Sequence, residues 1–268
     1  MSRIIVITSG KGGVGKTTCT ANLGMALAQK GRKVVVVDAD FGLRNLDLLL
    51  GLENRIVYTA MEVLSGECRL EQAIVKDKRQ PRLGLLPAAQ NRMKEAVTPE
   101  QMKQLIELLK PKYDYIFIDC PAGIEQGFQN AIAPAKEGLI VTTPEIAAVR
   151  DADRVIGLLE AHNVKKIHLI VNRLKPNMVE ANEMMSVQDV QEILAIPLIG
   201  VVPDDERVIT SSNRGEPLVI SEEVSQAATA FSHIAQRLEG ESVDFIDLNP
   251  PPETFFTRLR RWLSVKII

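Results

Sequence analysis

The sequence has few cysteines, few aromatic residues and no long apolar run. Its 3 cysteines, Cys19, Cys68 and Cys120, are far apart and form no C-x-x-C pair, which argues against a disulfide framework or a zinc site. No apolar run approaches the ~18 residues that a membrane span needs, and the residues after Met1 lack the regions of a signal peptide. We therefore expect a protein of the reducing cytosol that neither spans a membrane nor is exported.

An excess of charge of either sign is also missing. The 268 residues include 32 Lys and Arg against 34 Asp and Glu, which gives a formal net charge of -2. No whole-molecule field therefore attracts nucleic acid, and we expect no nucleic-acid partner. Hydrophobic residues make up 46% and aromatic residues 4%, so the core must consist mainly of Val, Ile, Leu and Ala, which favours an α/β fold.

Short apolar runs alternate with segments of helical period. The runs that predict strands are 4–7, 34–37, 83–86, 115–118, 139–141, 167–171 and 198–202. The segments that predict helices are 17–30, 101–109, 148–161 and 187–194. Strands that are apolar on both faces and separated by helices are typical of a mainly parallel sheet covered on both sides. We predict one doubly wound domain with helices on both faces of the sheet.

The composition changes near the C-terminus and divides the chain into three parts. A helix over 221–238, with Ser221 as its N-cap, is predicted to end a domain of residues 1–238. Residues 239–252 are acidic and end in three prolines, which predicts an extended linker. Residues 253–268 carry basic and large apolar side chains and form a third part, considered below.

A glycine-rich motif lies between the first predicted strand and the first predicted helix. It fits G-x-x-x-x-G-K-[ST] and consists of Gly10, Lys11, Gly12, Gly13, Val14, Gly15, Lys16 and Thr17. In this context the backbone N–H groups are expected to surround a β-phosphate, Lys16 to contact the β and γ oxygens, and Thr17 to hold Mg²⁺. Thr18 is in reach of an α-phosphate. The motif predicts a P-loop that binds a nucleoside triphosphate.

Three aspartates end predicted strands at the same edge of the sheet. Asp119 closes the run 115–118, and Asp38 and Asp40 follow the run 34–37. Ligands in such sheets bind outside the carboxyl ends of the strands. We therefore predict that Asp38 and Asp119 act on Mg²⁺, largely through water, and that Asp40 positions the attacking water. Gly123, shortly after Asp119, is a candidate switch that responds to the γ-phosphate.

The residues that contact the nucleotide base are expected at the end of another predicted strand. Guanine-binding proteins of this class carry N-K-x-D, whereas Asn172 is followed here by Arg173, Leu174 and Lys175, without a carboxylate. ATP is therefore favoured over GTP. We expect Asn172, Pro203 and Asp204 to lie near the adenine.

Lys11 adds a second lysine to the loop, in the form K-G-G-x-G-K-T, which resembles the deviant Walker A family of ATPases. Within it the chain is similar to the MinD cell-division ATPases over residues 2 to about 238 and in the tail. The segments that carry this resemblance are 38–47, 51–58, 74–79, 119–125, 144–154 and 212–217. The resemblance implies an ATP-dependent homodimer in which Lys11 reaches the partner's phosphates, with Asn45 and Asp151 near the interface. It also implies a septum-positioning role that depends on a MinC-like inhibitor and a MinE-like activator.

The last part of the chain has the pattern of an amphipathic helix. At helical spacing one face of 253–268 carries Phe255, Phe256, Leu259, Trp262 and Leu263, and the arginines fall outside this face. This pattern is typical of a helix that lies in the interface of an anionic membrane. We therefore expect an ATP-driven switch on the cytoplasmic face of the inner membrane. A ParA-like cargo or chromosome-positioning ATPase and a low-turnover nucleotide-bound adaptor are the alternatives.

Overall fold

The computed structural model describes residues 2–41, 44–89, 97–223 and 225–248. Within them the chain forms a sheet of eight strands. The strands are β1 (Arg3–Thr8), β2 (Val34–Asp38), β3 (Val75–Lys76), β4 (Leu83–Leu86), β5 (Tyr115–Asp119), β6 (Glu137–Thr142), β7 (Lys166–Leu174) and β8 (Leu198–Pro203).

The strands follow the order β3-β4-β2-β5-β1-β6-β7-β8. Every neighbouring pair is parallel except β3 and β4, which are antiparallel. The seven strands predicted from apolar runs are all present, and the doubly wound prediction is confirmed. The sequence analysis missed β3, because two residues at an edge carry no periodic signal and this strand exists only through its pairing with β4.

Helices connect the strands across both faces. They are α1 (Lys16–Gln29), α2 (Leu46–Leu49), α3 (Ala60–Leu64), α4 (Leu70–Ala73), α5 (Pro99–Leu109), α6 (Gln126–Ile132), α7 (Ile146–Ala161), α8 (Pro176–Glu180), α9 (Val187–Leu194), α10 (Glu206–Asn213) and α11 (Gln226–Leu238). Single 3-10 turns are present at Glu53–Arg55 and Leu218–Ile220. None of the helices in the described part of the chain combines the length and apolar character that crossing a bilayer requires.

The sheet separates two apolar cores. Along β1, Ile4 and Val6 point into the core beneath α5, α6, α7 and α9, whereas Ile5 and Ile7 point into the core beneath α1 and α11. This alternation follows from the two-residue period of a strand. Because both faces are covered, the middle of most strands is apolar, and the buried carboxylates Asp38 and Asp119 stand at the carboxyl ends of β2 and β5.

The start of α11 differs from the prediction. We expected Ser221 to cap a helix over 221–238, but α11 begins at Gln226 and its N-cap is Ser225, whose side chain accepts a hydrogen bond from the Ala228 N–H. Before that point Leu218 is buried in the core, and the Ser221 hydroxyl accepts from the Glu223 N–H in a local turn. Ser221 therefore caps a local turn, and the helix begins after Ser225 rather than at the position that the serine and its acidic neighbours indicated.

The segment after α11 lies on the domain without helix or strand as far as residue 248. Arg237 donates from Nε to the Val243 carbonyl at 3.0 Å and from Nη2 to the Asp244 carbonyl at 2.8 Å. Its guanidinium also stacks on the Phe245 ring, 4.0 Å from the centroid. The first part of the predicted linker is thus held against α11. The predicted membrane-contact residues Phe255, Phe256, Leu259, Trp262 and Leu263 lie outside the described residues.

Candidate functional site

The loop between β1 and α1 has the geometry of an anion-binding turn. Gly15 precedes α1 with φ 102°, in the left-handed region that favours glycine. Gly10 lies directly against the backbone carbonyl of Asp151 on α7, which leaves no space for a side chain at this position. The loop therefore presents its backbone N–H groups at the N-terminus of a 14-residue helix, where anions are stabilised.

Lys16 is the cation inside this loop. Its side chain is buried, with 7% of the residue exposed, and its Nζ donates to the Ser9 hydroxyl at 2.9 Å. That hydroxyl in turn donates to the Lys11 carbonyl at 2.7 Å. An ammonium group has three N–H donors, and burying a charge is costly unless it is paired. The arrangement therefore fits a bound anion such as the β- and γ-phosphates.

Lys11 lies in a different environment from Lys16. Its side chain is 45% exposed and forms an ion pair with Glu145, in which Nζ is 3.2 Å from Oε2 and the Glu145 side chain is 56% exposed. Because the pair is so open to solvent, it contributes little to stability. Two lysines of one loop are thus divided between a buried position and the surface.

Two buried carboxylates lie side by side at the carboxyl edge of the sheet. Asp38 ends β2 and Asp119 ends β5, and the two are paired in register. Asp119 accepts hydrogen bonds from Thr20 Oγ1, at 3.0 Å, and from Thr17. Burial raises the pKa of Asp119 to about 6. Burial also raises the pKa of Asp38 well above its usual range, and the nearby charge of Asp119 adds to this effect.

The pair fits a divalent cation at this edge. A bound cation would stabilise the ionised form that burial disfavours, and Thr17 supplies a neutral oxygen beside Asp119. Within the described residues no group of three or more His, Cys, Asp or Glu side chains is arranged to hold a metal ion by itself. The set fits Mg²⁺ that is shared with phosphate and water, which is the manner expected from the sequence.

Asp40 lies two residues beyond the end of β2, in the loop that follows the strand. Its backbone N–H donates to Asp38 Oδ1 at 2.9 Å, while its own Oδ1 is buried and receives no hydrogen bond from the protein. The side chain faces a small cavity that is also lined by Pro121 and Ala122 of the loop after β5. In that loop Gly123 has φ 90°. The unpartnered oxygen is free to accept a hydrogen bond from a water molecule.

The predicted base-binding residues meet in one pocket beside the loop. A cavity of about 180 Å³ is lined by Gly15, Thr18, Asn172, Pro203 and Asp204 among others. The buried Asn172 amide donates from Nδ2 to the Val14 carbonyl at 2.7 Å and thereby connects β7 to the loop. Because this bond occupies one of its donors, Asn172 also has a structural role.

Other residues of this pocket were missed by the sequence analysis. They are Arg173, Asp205, Glu206, Val208, Ile209 and Phe231. Glu206, Val208 and Ile209 lie on α10, and Phe231 comes from α11, far away in the chain. Helical packing alone brings them here, so no local motif indicates them. The capping residue Asp205 was the one detectable signal, since an aspartate before a helical segment is a typical N-cap.

The residues assigned to a dimer interface by resemblance lie around the same edge. Asn45 is exposed just before α2, and Asp151 packs against Gly10. Lys11 of the loop pairs with Glu145, and Asn45 immediately precedes Leu46, whose N–H donates to Asp38 Oδ2. Every described residue of the predicted site is thus located at the carboxyl edge of the sheet.

Comparisons with known proteins agree with this geometry. Residues 5–218 match the family described as the CobQ/CobB/MinD/ParA nucleotide binding domain. The septum site-determining protein MinD of Synechocystis is 64% identical over 263 residues, which cover 98% of this chain and 99% of that protein.

Solved structures extend the comparison to the fold. A chain of the MinC:MinD cell division protein complex of Aquifex aeolicus has a TM-score of 0.86 and 49% identity, and the alignment covers 92% of this chain and 100% of that chain. MinD of Pyrococcus horikoshii complexed with Mg-ADP has a TM-score of 0.81 and 35% identity, over 89% of this chain and 96% of that chain. The phosphate loop, the paired carboxylates and these relatives identify an enzyme that hydrolyses ATP with Mg²⁺. The chain belongs to the MinD septum site-determining ATPases, within the CobQ/CobB/MinD/ParA nucleotide-binding family.

Proposed function

We propose that this ATPase is a membrane switch. In the ATP state two copies pair and bind the cytoplasmic face of the inner membrane through their C-terminal helices. There they recruit a MinC-like division inhibitor and so help to position the septum. A MinE-like activator stimulates hydrolysis, which separates the pair and releases it from the membrane.

The contrast between the two lysines of the phosphate loop carries this proposal. Lys16 is buried and directed into its own loop, whereas Lys11 is 45% exposed at the mouth of the site and bonds to a surface carboxylate of Glu145. Because this ion pair is exposed to solvent, replacing Glu145 by another anion as the partner of Lys11 costs little free energy. Lys11 is therefore available to the phosphates of a second subunit, which would make charge stabilisation dependent on pairing.

Within each subunit the remaining residues have separate tasks. Lys16 and the loop N–H groups hold the β- and γ-phosphates, and Thr17 with Asp38 and Asp119 holds Mg²⁺, which neutralises phosphate charge. Asp40 accepts a hydrogen bond from the attacking water with its unpartnered Oδ1. The backbone N–H of Gly123 senses the γ-phosphate in this proposal, and Asn172, Pro203 and Asp204 contact the adenine.

The tail supplies the link to the membrane. A helix over 253–268 would be ~24 Å long, shorter than the ~30 Å of a bilayer core, so it would lie in the interface. Its large apolar groups gain roughly 1.5 to 3 kcal/mol each at full burial, but partial insertion and ordering leave one tail only marginally bound. Two tails on one dimer share a single binding event, which raises avidity ~10²- to 10⁴-fold.

The inhibitor is inferred from a relative. The Aquifex aeolicus protein, 49% identical to this chain, is part of a MinC:MinD cell division protein complex. At this similarity, with 92% of the chain aligned, an equivalent docking surface is expected here. The activator is inferred from the family alone.

ATP hydrolysis measured with and without anionic vesicles tests the proposal. We expect vesicles to stimulate turnover of the full chain and Lys11→Ala to abolish this stimulation while ADP still binds. Lys103→Ala, which removes an exposed lysine on α5, is the matched control and should be stimulated normally. Stimulation by DNA rather than by vesicles would favour a ParA-like role, and negligible turnover under both conditions would favour the adaptor.

A further inference from the structure

Three segments that carry the family resemblance are far apart in the chain, yet they meet at one point of the fold. They are the segments that contain Gly51, the pair Asp77 and Arg79, and Gly215. The first follows α2, the second follows β3 and the third follows α10. We call this meeting point the Arg79 clasp.

Arg79 connects the other two segments through its guanidinium. Nη2 donates to the Leu50 carbonyl at 2.7 Å, and Nη1 donates to the Gly215 carbonyl at 3.0 Å. The Asp77 carboxylate, whose side chain is fully buried, accepts from Arg79 Nη2 at 2.7 Å and Nε at 3.2 Å. It also accepts the Arg79 N–H at 2.7 Å. The planar guanidinium of Arg79 thus donates hydrogen bonds to one carboxylate, which fixes its orientation, and to two backbone carbonyls.

The two backbones joined by Arg79 also touch directly. Gly51 and Gly215 have φ of 61° and 67°, in the left-handed region. A Cβ at Gly51 would lie 2.7 Å from the Gly215 carbonyl oxygen, and one at Gly215 would lie 2.6 Å from the Gly51 Cα. Both positions therefore require glycine, and their contact leaves no room for sliding between the ends of α2 and α10.

The clasp joins two parts of the nucleotide site. At the start of α2 the Leu46 N–H donates to Asp38 Oδ2 at 3.4 Å, so α2 is bonded to the strand end from which the Asp40 loop begins. On the other side, α10 forms a wall of the base pocket with Val208 and Ile209. The end of α2 and the end of α10 are the points that Arg79 fixes.

We propose that the Arg79 clasp positions the Asp40 loop for hydrolysis, with Arg79 as a positioning residue. It fixes the far end of α2 against α10, so that the loop keeps its place relative to a nucleotide whose base lies against α10. This inference rests on the proposed role of Asp40. Lysine cannot replace arginine here, because a single ammonium has no planar fork that holds two carbonyls and a carboxylate together.

Loss of the clasp should affect turnover more than nucleotide binding. The N-terminal end of α10 has its own support, since Asp205 caps it and accepts a hydrogen bond from the Ser225 hydroxyl at 2.7 Å. The base-pocket wall is therefore retained without Arg79. The Asp40 loop reaches the clasp through α2 and loses this support.

Steady-state kinetics of full-length Arg79→Lys test the proposal. A small displacement of a reacting group costs on the order of 10- to 100-fold in rate, so we expect kcat to fall by about this factor. KM for ATP and Kd for ADP should stay within about threefold, because the pocket wall is kept. Arg82→Lys is the matched control, since Arg82 is exposed nearby in the turn before β4, and its kcat should be unchanged. Lysine retains the charge opposite buried Asp77, which protects folding.

Amide hydrogen exchange gives a second readout that kinetics do not supply. Peptides that cover 44–52 should exchange faster in Arg79→Lys than in the unmutated protein or in Arg82→Lys. Unchanged kcat or unchanged exchange in this segment would overturn the proposal. Parallel loss of kcat, ADP affinity and thermal stability would also overturn it, because Arg79 would then support the fold alone. Asp40→Ala is measured alongside, and normal turnover in that variant would refute the role of Asp40 rather than the contacts of the clasp.

Discussion

At the scale of single residues, Lys16 links phosphate binding in the loop to the proposed dimerisation. Its ammonium is buried and donates to the neutral Ser9 hydroxyl, so phosphate charge is its natural partner. We predict that Lys16→Ala abolishes ATP-dependent dimerisation, because the β and γ charges lose their main cation. Light scattering with ATP and Mg²⁺ measures this, with Lys136→Ala, at an exposed position, as control. Dimers that form as readily as in the unmutated protein would disprove the assignment.

Asp40→Ala should separate binding from hydrolysis. The unpartnered Oδ1 has no structural bond to lose, so ATP binding and dimerisation should be retained. Removal of a group that positions the nucleophile typically costs ~10²-fold or more in kcat. Phosphate release measures this, with Glu192→Ala, an exposed carboxylate on α9, as the control. Normal turnover would transfer the role to Asp38 or to the backbone of Gly123.

The residues of the site were predictable where local chemistry defines them. The P-loop motif and the aspartates that end apolar runs are local signals, and the structure brings them together at one edge. Phe231 and Ile209 could not be predicted in the base pocket, because only the packing of α10 and α11 places them there. The ion pair of Lys11 with Glu145 joins residues 134 positions apart and has no local signal either.

Among the helices, α10 has a charged residue, Asp205, as its N-cap. Asp205 accepts from the Arg207 N–H and Nε, and the hydrogen bond from Arg207 lowers the pKa of Asp205. A lowered pKa in the folded state adds stability above the ordinary value of 3.8, and this stability is lost as the pH falls through the folded value.

The pH dependence of Asp205→Asn tests this account of the cap. Asparagine keeps a capping oxygen but carries no charge. We predict that the variant is less stable than the unmutated protein at neutral pH and that the difference shrinks toward about pH 3.5. Urea unfolding at both pH values measures it. A difference that does not change with pH would show that the charge of Asp205 is unimportant.

The corrected N-cap of α11 has a measurable energy. The Ser225 side chain accepts the Ala228 N–H, which has no partner inside the helix. We predict that Ser225→Ala lowers the free energy of unfolding by about 1 kcal/mol. Ser221→Ala, at the position first expected to be the cap, should change it by less than about 0.5 kcal/mol. Equal losses in urea unfolding would contradict the assignment of Ser225.

Long elements were easier to predict than short ones. The four helices expected from periodicity differ by at most two residues at either end from α1, α5, α7 and α9. In contrast, α2, α3, α4 and α8 have four or five residues each, too short for a periodic pattern. Helices this short are not stable by themselves, so they depend on tertiary packing that a local pattern does not record.

At the scale of the whole molecule, the nucleotide site and the last helix of the domain can be placed relative to the sheet. The site lies at the carboxyl edge of the sheet, whereas the chain leaves α11 at Leu238, near Arg3 at the start of β1. The described chain then continues to Leu248, which lines a groove together with Leu174 and Pro176 at the carboxyl end of β7. In the proposed function, pairing of two subunits connects ATP to membrane affinity.

Vesicle co-sedimentation of the full chain tests this central claim most directly. Binding to anionic vesicles should require ATP rather than ADP and should weaken at high salt. It should be lost in Trp262→Glu, while ATP-dependent dimerisation in solution survives. Leu108→Glu, which makes the same kind of change at a half-exposed position of α5, should bind normally. Equal binding in ADP and ATP, or full binding by a chain truncated at Pro252, would contradict the account.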